Sequence, residues 1–375
     1  MKKLKVMTIV GTRPELIRMS EIIKKADIYF EHIFVHTGQN YDDRLNDIFY
    51  EDLDLRKPDY YLNVVSDNLG ETIGNIIAKS YKLMQEIRPD ALLILGDTNS
   101  ALTAISAKRL KIPIFHMEAG NRCFDENLPE ETNRRIVDHI SDINLPYTEH
   151  ARRYLLAEGI RKEHIYVTGS PMEEILIAHK SKIDRSIVLK ELNLEKKKYI
   201  LLSSHREENI DLEGNFFSLM NAINEMAETY QMPVIYSVHP RSAKLIKERN
   251  FDFHPLVRKM PPFSFTDYNC LQLNAYCVVS DSGTMPEESA ISHFPGVCIR
   301  TSTERPEALD KGCFVIGGIE KEQLLQAVEM AVKMADNCDF GTLVPDYVGN
   351  NVSSTVIRII QSYTEIVNQK VWDKR

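Results

Sequence analysis

No apolar run in this 375-residue chain approaches the roughly 18 residues that a membrane-spanning helix requires. No long basic tract occurs either, and the net charge is −8, which argues against nucleic acid as the main partner. Cysteine is scarce, at 6 residues, and no two form a CxxC pair. We read the cysteines as small buried hydrophobes of a reducing, cytoplasmic protein, not as a disulfide framework or zinc site. HExxH and GxSxG are absent, which disfavours a zinc protease or a Ser–His–Asp hydrolase. Neither a P-loop nor GxGxxG occurs, so nothing marks an ATP or nicotinamide site.

What is present is ordinary globular composition, 43% apolar and 27% charged. The length exceeds one hydrophobic core, so two domains are expected. Residues 1–10 superficially look like a secretion signal, but they run into Gly11-Thr12-Arg13-Pro14-Glu15 without a small-residue cleavage site and are read as a first strand. From there, apolar strand-length runs alternate with helical patterns. Strands are expected at 6–10, 32–36, 91–95, 113–117, 143–145 and 165–167, and in a second series at 200–203, 234–238, 276–279, 297–299 and 314–316. Long helices are expected at 69–88, 215–230, 321–335 and 352–370. The fold class is α/β, with two doubly wound Rossmann-like domains facing a central cleft. The first domain is placed at 1–172, joined by the C-terminal helix 358–375, and the second at 173–357.

Polar clusters follow many of these strands, where open α/β sheets bind ligands. Gly11 permits close backbone approach at a helix start, and Arg13 and Arg18 are candidate phosphate clamps. Asp97 ends an apolar strand and is either a helix cap or a catalytic acid. Glu118 follows another strand, and Glu131 opens a helix that carries Arg134 and Arg135. If Asp97, Glu118 and Glu131 share a cleft, crowding raises their pKa values, so that one holds a proton at neutral pH. Acids in a first helical turn also simply complement the helix dipole. His205, with Arg206 beside it, is a candidate acid, base or phosphate ligand, and His239 marks a similar anion-binding loop. Ser282, Gly283 and Thr284 precede a helix and can cradle a diphosphate. Glu288 can take ribose hydroxyls, and Arg300 and Arg305 add positive charge.

In order and spacing, these motifs resemble the non-hydrolysing UDP-N-acetylglucosamine 2-epimerase family across nearly the whole chain. The motifs are Gly11-Thr12-Arg13-Pro14-Glu15, Thr37-Gly38-Gln39, Gly96-Asp97-Thr98, Glu118-Ala119-Gly120, Pro129-Glu130-Glu131 with Asn133-Arg134, His205-Arg206-Glu207, His239-Pro240, Asp281-Ser282-Gly283 and Glu304-Arg305-Pro306-Glu307-Ala308. The resemblance implies a glycosyltransferase-B-like fold and a homodimer. It implies elimination of UDP across C1–C2 of a UDP-N-acetyl sugar to a 2-acetamidoglycal, then re-addition, with no cofactor and no metal. It also implies Asp97, Glu118, Glu131 and His205 as catalytic residues. UDP contacts would fall to Arg13, His239, Ser282, Gly283, Glu288 and Arg305.

The chain departs from the common family pattern at Arg18, at Thr284 and at Gly38-Gln39-Asn40-Tyr41-Asp42-Asp43, the last associated in the family with an allosteric UDP-sugar site. The variants Glu118-Ala119-Gly120-Asn121-Arg122-Cys123-Phe124-Asp125 and Asp138-His139-Ile140-Ser141-Asp142 resemble a capsule and O-antigen subgroup. Its expected reaction converts UDP-2-acetamido-2,6-dideoxy-β-L-talose to UDP-N-acetyl-L-fucosamine. UDP-N-acetylglucosamine and UDP-2,3-diacetamido-glucuronate are alternative substrates, and a retaining glycosyltransferase is the reading from another class.

Overall fold

The computed structural model describes residues 3–38, 49–126, 128–300, 303–349 and 351–374, apart from the side chain of Glu207. It divides into two compact units. The first comprises residues 1–178 and 346–375, the second residues 179–345.

In the first unit the strands are β1 (Lys5–Val10), β2 (Glu31–His36), β3 (Tyr60–Tyr61), β4 (Ala91–Leu95), β5 (Ile114–Met117) and β6 (Ile143–Leu145). Among the described residues they form one six-stranded sheet in the order β3-β2-β1-β4-β5-β6, with every pairing parallel. All five residues of β4 are buried, as the uninterrupted run Ala-Leu-Leu-Ile-Leu requires of a strand covered on both faces. Met7, Ile9, Leu92, Ile94 and Ile114 form the core with Ile76 and Met84 of the helix Leu69–Ile87. Asn68 caps that helix by accepting the Glu71 N–H at 2.9 Å.

The second unit repeats the plan. Its strands are β7 (Ile200–Ser204), β8 (Val234–Val238), β9 (Val257–Met260), β10 (Cys277–Ser280), β11 (Gly296–Cys298) and β12 (Val315–Ile316), in the order β12-β11-β10-β7-β8-β9 and again all parallel. Read from the other edge, this is the order of the first sheet. Helices Glu213–Tyr230 and Lys321–Asp336 bury Phe216, Leu219, Ile223, Leu324 and Val328 against the strands.

Both sheets have the doubly wound order in which direction reverses between the first and fourth strands, and ligands bind outside the carboxyl ends at that point. The reversals lie at β1/β4 and at β7/β10. The loops that begin at Gly11 and Gly96 are therefore neighbours, as are those that begin at His205 and Asp281.

Two expectations need correction. The strand at 165–167 is only an isolated bridge, Asn144 to Ile165. Tyr166 and Thr168 donate to the carbonyls of Asn144 and Pro146, but Pro146 has no N–H to extend the ladder. The division falls at 178/179 and 345/346 instead of 172/173 and 357/358. Helix Val352–Lys370 packs on helix Arg13–Tyr29 and belongs whole to the first unit, and Ser353 donates its N–H to Glu174 at 2.9 Å, tying 172–178 to the same unit. Most of the variant stretch at 38–43 lies outside the described residues. Among the described residues, no helix is long and apolar enough to cross a membrane.

Candidate active site

In the first unit, Gly11 is enforced by packing: a Cβ there would stand 1.8 Å from Ser100 Oγ and 2.2 Å from Thr37 Oγ1. The following helix starts with Thr12-Arg13-Pro14-Glu15, a Thr-x-x-Glu capping pattern. Glu15 Oε2 accepts the Gly11 N–H at 3.1 Å and the Thr12 hydroxyl at 2.7 Å. Burial raises the Glu15 carboxyl to about 7, against the pull of those donors. Arg13 lies over the Phe49 ring, 4.6 Å from its centroid. Arg18 is buried, with its guanidinium in an ion pair with Glu118 instead of open to a phosphate.

Glu118 leaves β5 with a φ of +60°, a left-handed conformation that non-glycine residues adopt at a cost. Its Oε1 accepts Asn121 Nδ2 at 3.2 Å. Asp97 is not the cap of the following turn; Thr98 is, accepting the Ser100 N–H at 3.3 Å. Asp97 instead meets Arg134, whose Nε and Nη2 both lie 2.7 Å from Oδ2. Nη1 of the same arginine donates to Glu131 Oε2 at 2.8 Å. That oxygen also faces the Cys123 N–H at 3.3 Å and Cys123 Sγ at 3.4 Å. Arg135 is half-exposed, 2.7 Å from Glu126 and 3.6 Å from Glu131.

For Glu131 the alternative of a carboxyl raised by crowding does not hold. Burial alone raises Glu131, but the Arg134 hydrogen bond and charge, helped by Cys123, hold it below the usual carboxylate range. A carboxyl that burial does raise in this unit is Glu15, outside the expected trio.

Beneath the Gly96 and Glu118 loops lies a buried polar network. Asp138 accepts the Gly120 N–H at 3.1 Å, pairs with Arg122 Nη1 at 2.8 Å and lies 3.0 Å from His116 Nδ1. His116 Nε2 donates to the Gly96 carbonyl at 2.8 Å. Arg122 is held from the other side by Glu158 through two bonds of 2.7 and 2.6 Å.

In the second unit, His205 follows β7 and its ring lies 5.9 Å from that of His239. His239 caps the helix Pro240–Glu248 through Nδ1, 3.4 Å from the Arg241 nitrogen. Ser282 Oγ lies 3.0 Å from Thr284 Oγ1, before the helix Met285–Ser292. Glu288 is buried, and its Oε2 accepts Gln272 Nε2 at 2.6 Å. Gly283 is required because a Cβ would stand 2.5 Å from Glu304 Oε1, the oxygen that Arg206 Nη2 approaches at 3.3 Å. Glu304 also accepts from Arg300 at 2.6 Å. Arg305, expected to face phosphate, is buried with Nη2 3.4 Å from Glu287.

Among the described residues, no three His, Cys, Asp or Glu side chains converge as metal ligands. His32 and His36 have an HxxxH spacing, but on a strand this separates them by about 13 Å. His32 faces Asp27 and Thr8, and burial lowers His36 to about 4.

Sequence reasoning missed Arg134 as a site residue, although its i,i+3 spacing from Glu131 was visible. It also missed Glu15, despite the capping pattern, and Asp138, for which no local signal existed.

Residues 23–361 match the family model described as UDP-N-acetylglucosamine 2-epimerase. The chain is 36% identical over 351 residues to the UDP-N-acetylglucosamine 2-epimerase of Methanocaldococcus jannaschii, covering 89% of this chain and 94% of that one. It is 30% identical over 335 residues to the UDP-2,3-diacetamido-2,3-dideoxy-D-glucuronate 2-epimerase of Pseudomonas aeruginosa, covering 88% and 92%. Its fold matches the solved UDP-N-acetylglucosamine 2-epimerase of Rickettsia bellii with a TM-score of 0.91 at 46% identity, over 99% of this chain and 100% of that one. The shared architecture is the two-domain Rossmann-like fold of the glycosyltransferase-B type. A chain matched along this length belongs to the UDP-N-acetylglucosamine 2-epimerase family.

Proposed function

We propose that the protein inverts C2 of a UDP-2-acetamido sugar, converting UDP-2-acetamido-2,6-dideoxy-β-L-talose to UDP-N-acetyl-L-fucosamine for capsule or O-antigen synthesis. A base removes the C2 proton while the C1–O bond to the diphosphate breaks, giving a 2-acetamidoglycal and UDP. Protonation of the opposite face of C2 and return of UDP to C1 complete the inversion. Every bond broken is remade, so no electron acceptor is consumed.

In this reading Asp97, Glu118, Glu131 and His205 carry the proton transfers. The observation behind the choice of sugar is the placement of two variant residues. Asn121 binds Glu118, and Cys123 binds Glu131 through both its N–H and its thiol. The residues that mark the subgroup therefore touch carboxylates assigned to the sugar. His239, Ser282, Gly283, Thr284, Glu288, Arg13, Arg135, Arg206 and Arg305 are assigned to the nucleotide end. For Arg18 and Arg305, such a role requires an exchange of their present carboxylate partners.

A second reading, UDP-N-acetylglucosamine as substrate, draws on the names of the Methanocaldococcus and Rickettsia proteins. Proton NMR in heavy water with each UDP-sugar decides between them. Deuteration and inversion at C2 of the 6-deoxy-talose sugar alone is the expected result. Turnover of UDP-N-acetylglucosamine alone overturns the substrate assignment. Exchange with neither of these nor the diacetamido-uronate overturns the epimerase reading. Light scattering tests the homodimer implied by the family.

A further inference from the structure

Asp281 is fully buried at the carboxyl end of β10, beside β7. Its Oδ2 accepts four hydrogen bonds: from the Ser204 hydroxyl at 3.1 Å, the His205 N–H at 2.9 Å, the Arg206 N–H at 3.0 Å and Asn209 Nδ2 at 3.1 Å. These donors lock the carboxylate plane. Oδ1 makes no aligned hydrogen bond, although it is buried, and His205 Nδ1 lies 3.1 Å from it. The approach is within ion-pair distance, although the ring orientation does not align the Nδ1–H with Oδ1. The side chain of His205 remains 39% exposed while that of Asp281 is 0% exposed, so Nε2 is the ring nitrogen turned away from the carboxylate.

An orphaned buried carboxylate oxygen is costly unless a donor reaches it. The two backbone N–H groups of His205 and Arg206 fix the residue that carries the ring, and the second oxygen faces the ring itself. We propose that Asp281 is a positioning residue that holds His205 as the Nδ1–H tautomer and leaves Nε2 to exchange a proton with the substrate. This rests on the assignment of His205 as an acid–base group in C2 epimerisation. The donors on Oδ2 and the charge of His205 outweigh burial and keep Asp281 well below the usual carboxylate range, so it takes no proton itself.

Two measurements test the proposal. Long-range proton–nitrogen NMR of the histidine-labelled full chain at pH 8.5, with His205 assigned by the signal lost in His205→Gln, reads the tautomer directly. A proton on Nδ1 is expected, and a proton on Nε2 overturns the proposal. In kinetics, Asp281→Asn is expected to lower kcat by about 10²–10⁴-fold, the scale of a mis-set tautomer. UDP affinity, measured by calorimetry, should stay within about 3-fold, because the interaction acts on a proton transfer and not on ground-state binding.

Asp281→Asn should add nothing in the His205→Gln background, and an equal loss in both backgrounds shows a merely structural role. If Asp281→Asn does not fold, the tautomer measurement decides alone. Wild-type protein without C2 exchange defeats the proposed function and leaves the tautomer test standing. Full turnover in His205→Gln defeats the present proposal and the assignment of His205 to a proton transfer, and leaves C2 epimerisation itself standing.

Discussion

Asp97 and Glu131 share one cation, because Arg134 reaches Asp97 Oδ2 at 2.7 Å and Glu131 Oε2 at 2.8 Å. A planar guanidinium can span two carboxylates, whereas a lysine ammonium is a point charge that cannot reproduce the fork. Glu131 is thereby held below the usual carboxylate range in a position where burial pushes the other way.

Arg134→Lys should therefore keep the charge and lose the geometry. We expect kcat to fall about 10²-fold, the cost of displacing a reacting group by about 1 Å. Initial rates of C2 inversion, with KM recorded separately, check this.

Glu118→Gln removes the charge while preserving size and the acceptor for Asn121. Loss of a positioned acid–base group should lower kcat by about 10²–10⁴-fold. The change also leaves Arg18 buried beside a neutral amide, so denaturant melts should show a loss of roughly 3 kcal/mol. Unchanged deuterium exchange at C2 in this variant would remove Glu118 from the mechanism.

Glu15 makes stability depend on pH with a definite sign. Its carboxyl titrates near 4.5 unfolded and about 7 folded, so between those values the folded state binds more protons. The stability this supplies is full below the unfolded value and is lost as pH rises through 7, by roughly 3 kcal/mol in total. Glu15→Gln, which cannot ionise, should be less sensitive than wild type between pH 5 and 8. Denaturation curves at several pH values test the difference, and parallel curves for the two proteins would refute it.

Asp138→Asn should be among the most damaging changes in the first unit, because it strips the counter-charge from buried Arg122 and weakens the hold on Gly120. Breaking a buried pair in this way costs about 3–5 kcal/mol. A melting temperature within 2 °C of wild type would show that Glu158 alone suffices for Arg122.

The central strands and most long helices were legible because their signals are local. Ala91–Leu95 reads as a strand from five consecutive apolar residues, and Leu69–Ile87 as a helix from its periodic ones. The strands missed were Tyr60–Tyr61 and Val257–Met260, which lie at sheet edges and are largely exposed, so no apolar run marks them. Helix Phe265–Asn274 was missed because Thr, Asp, Asn and Gln interrupt its apolar face. Of the candidate residues, Asp97, Glu118 and His205 do stand at strand ends, where the alternation of strands and helices put them. Their partners were not legible: Arg134 is 37 residues from Asp97, and Asp281 is 76 from His205.

The sequence by itself determined the repeated β–α pattern, the polar loops at the strand ends and the residue types available for acid–base chemistry. Those follow from hydrophobic periodicity and from residue chemistry along a few neighbouring positions. Only the tertiary structure decided which charges meet. It gave Glu118 to Arg18, Asp97 and Glu131 jointly to Arg134, and Asp281 to His205, while burial raised Glu15 and Arg134 held Glu131 low. Electrostatic roles depend on distances of a few ångströms and on exclusion of water, and both are set when parallel strands far apart in the chain are brought side by side.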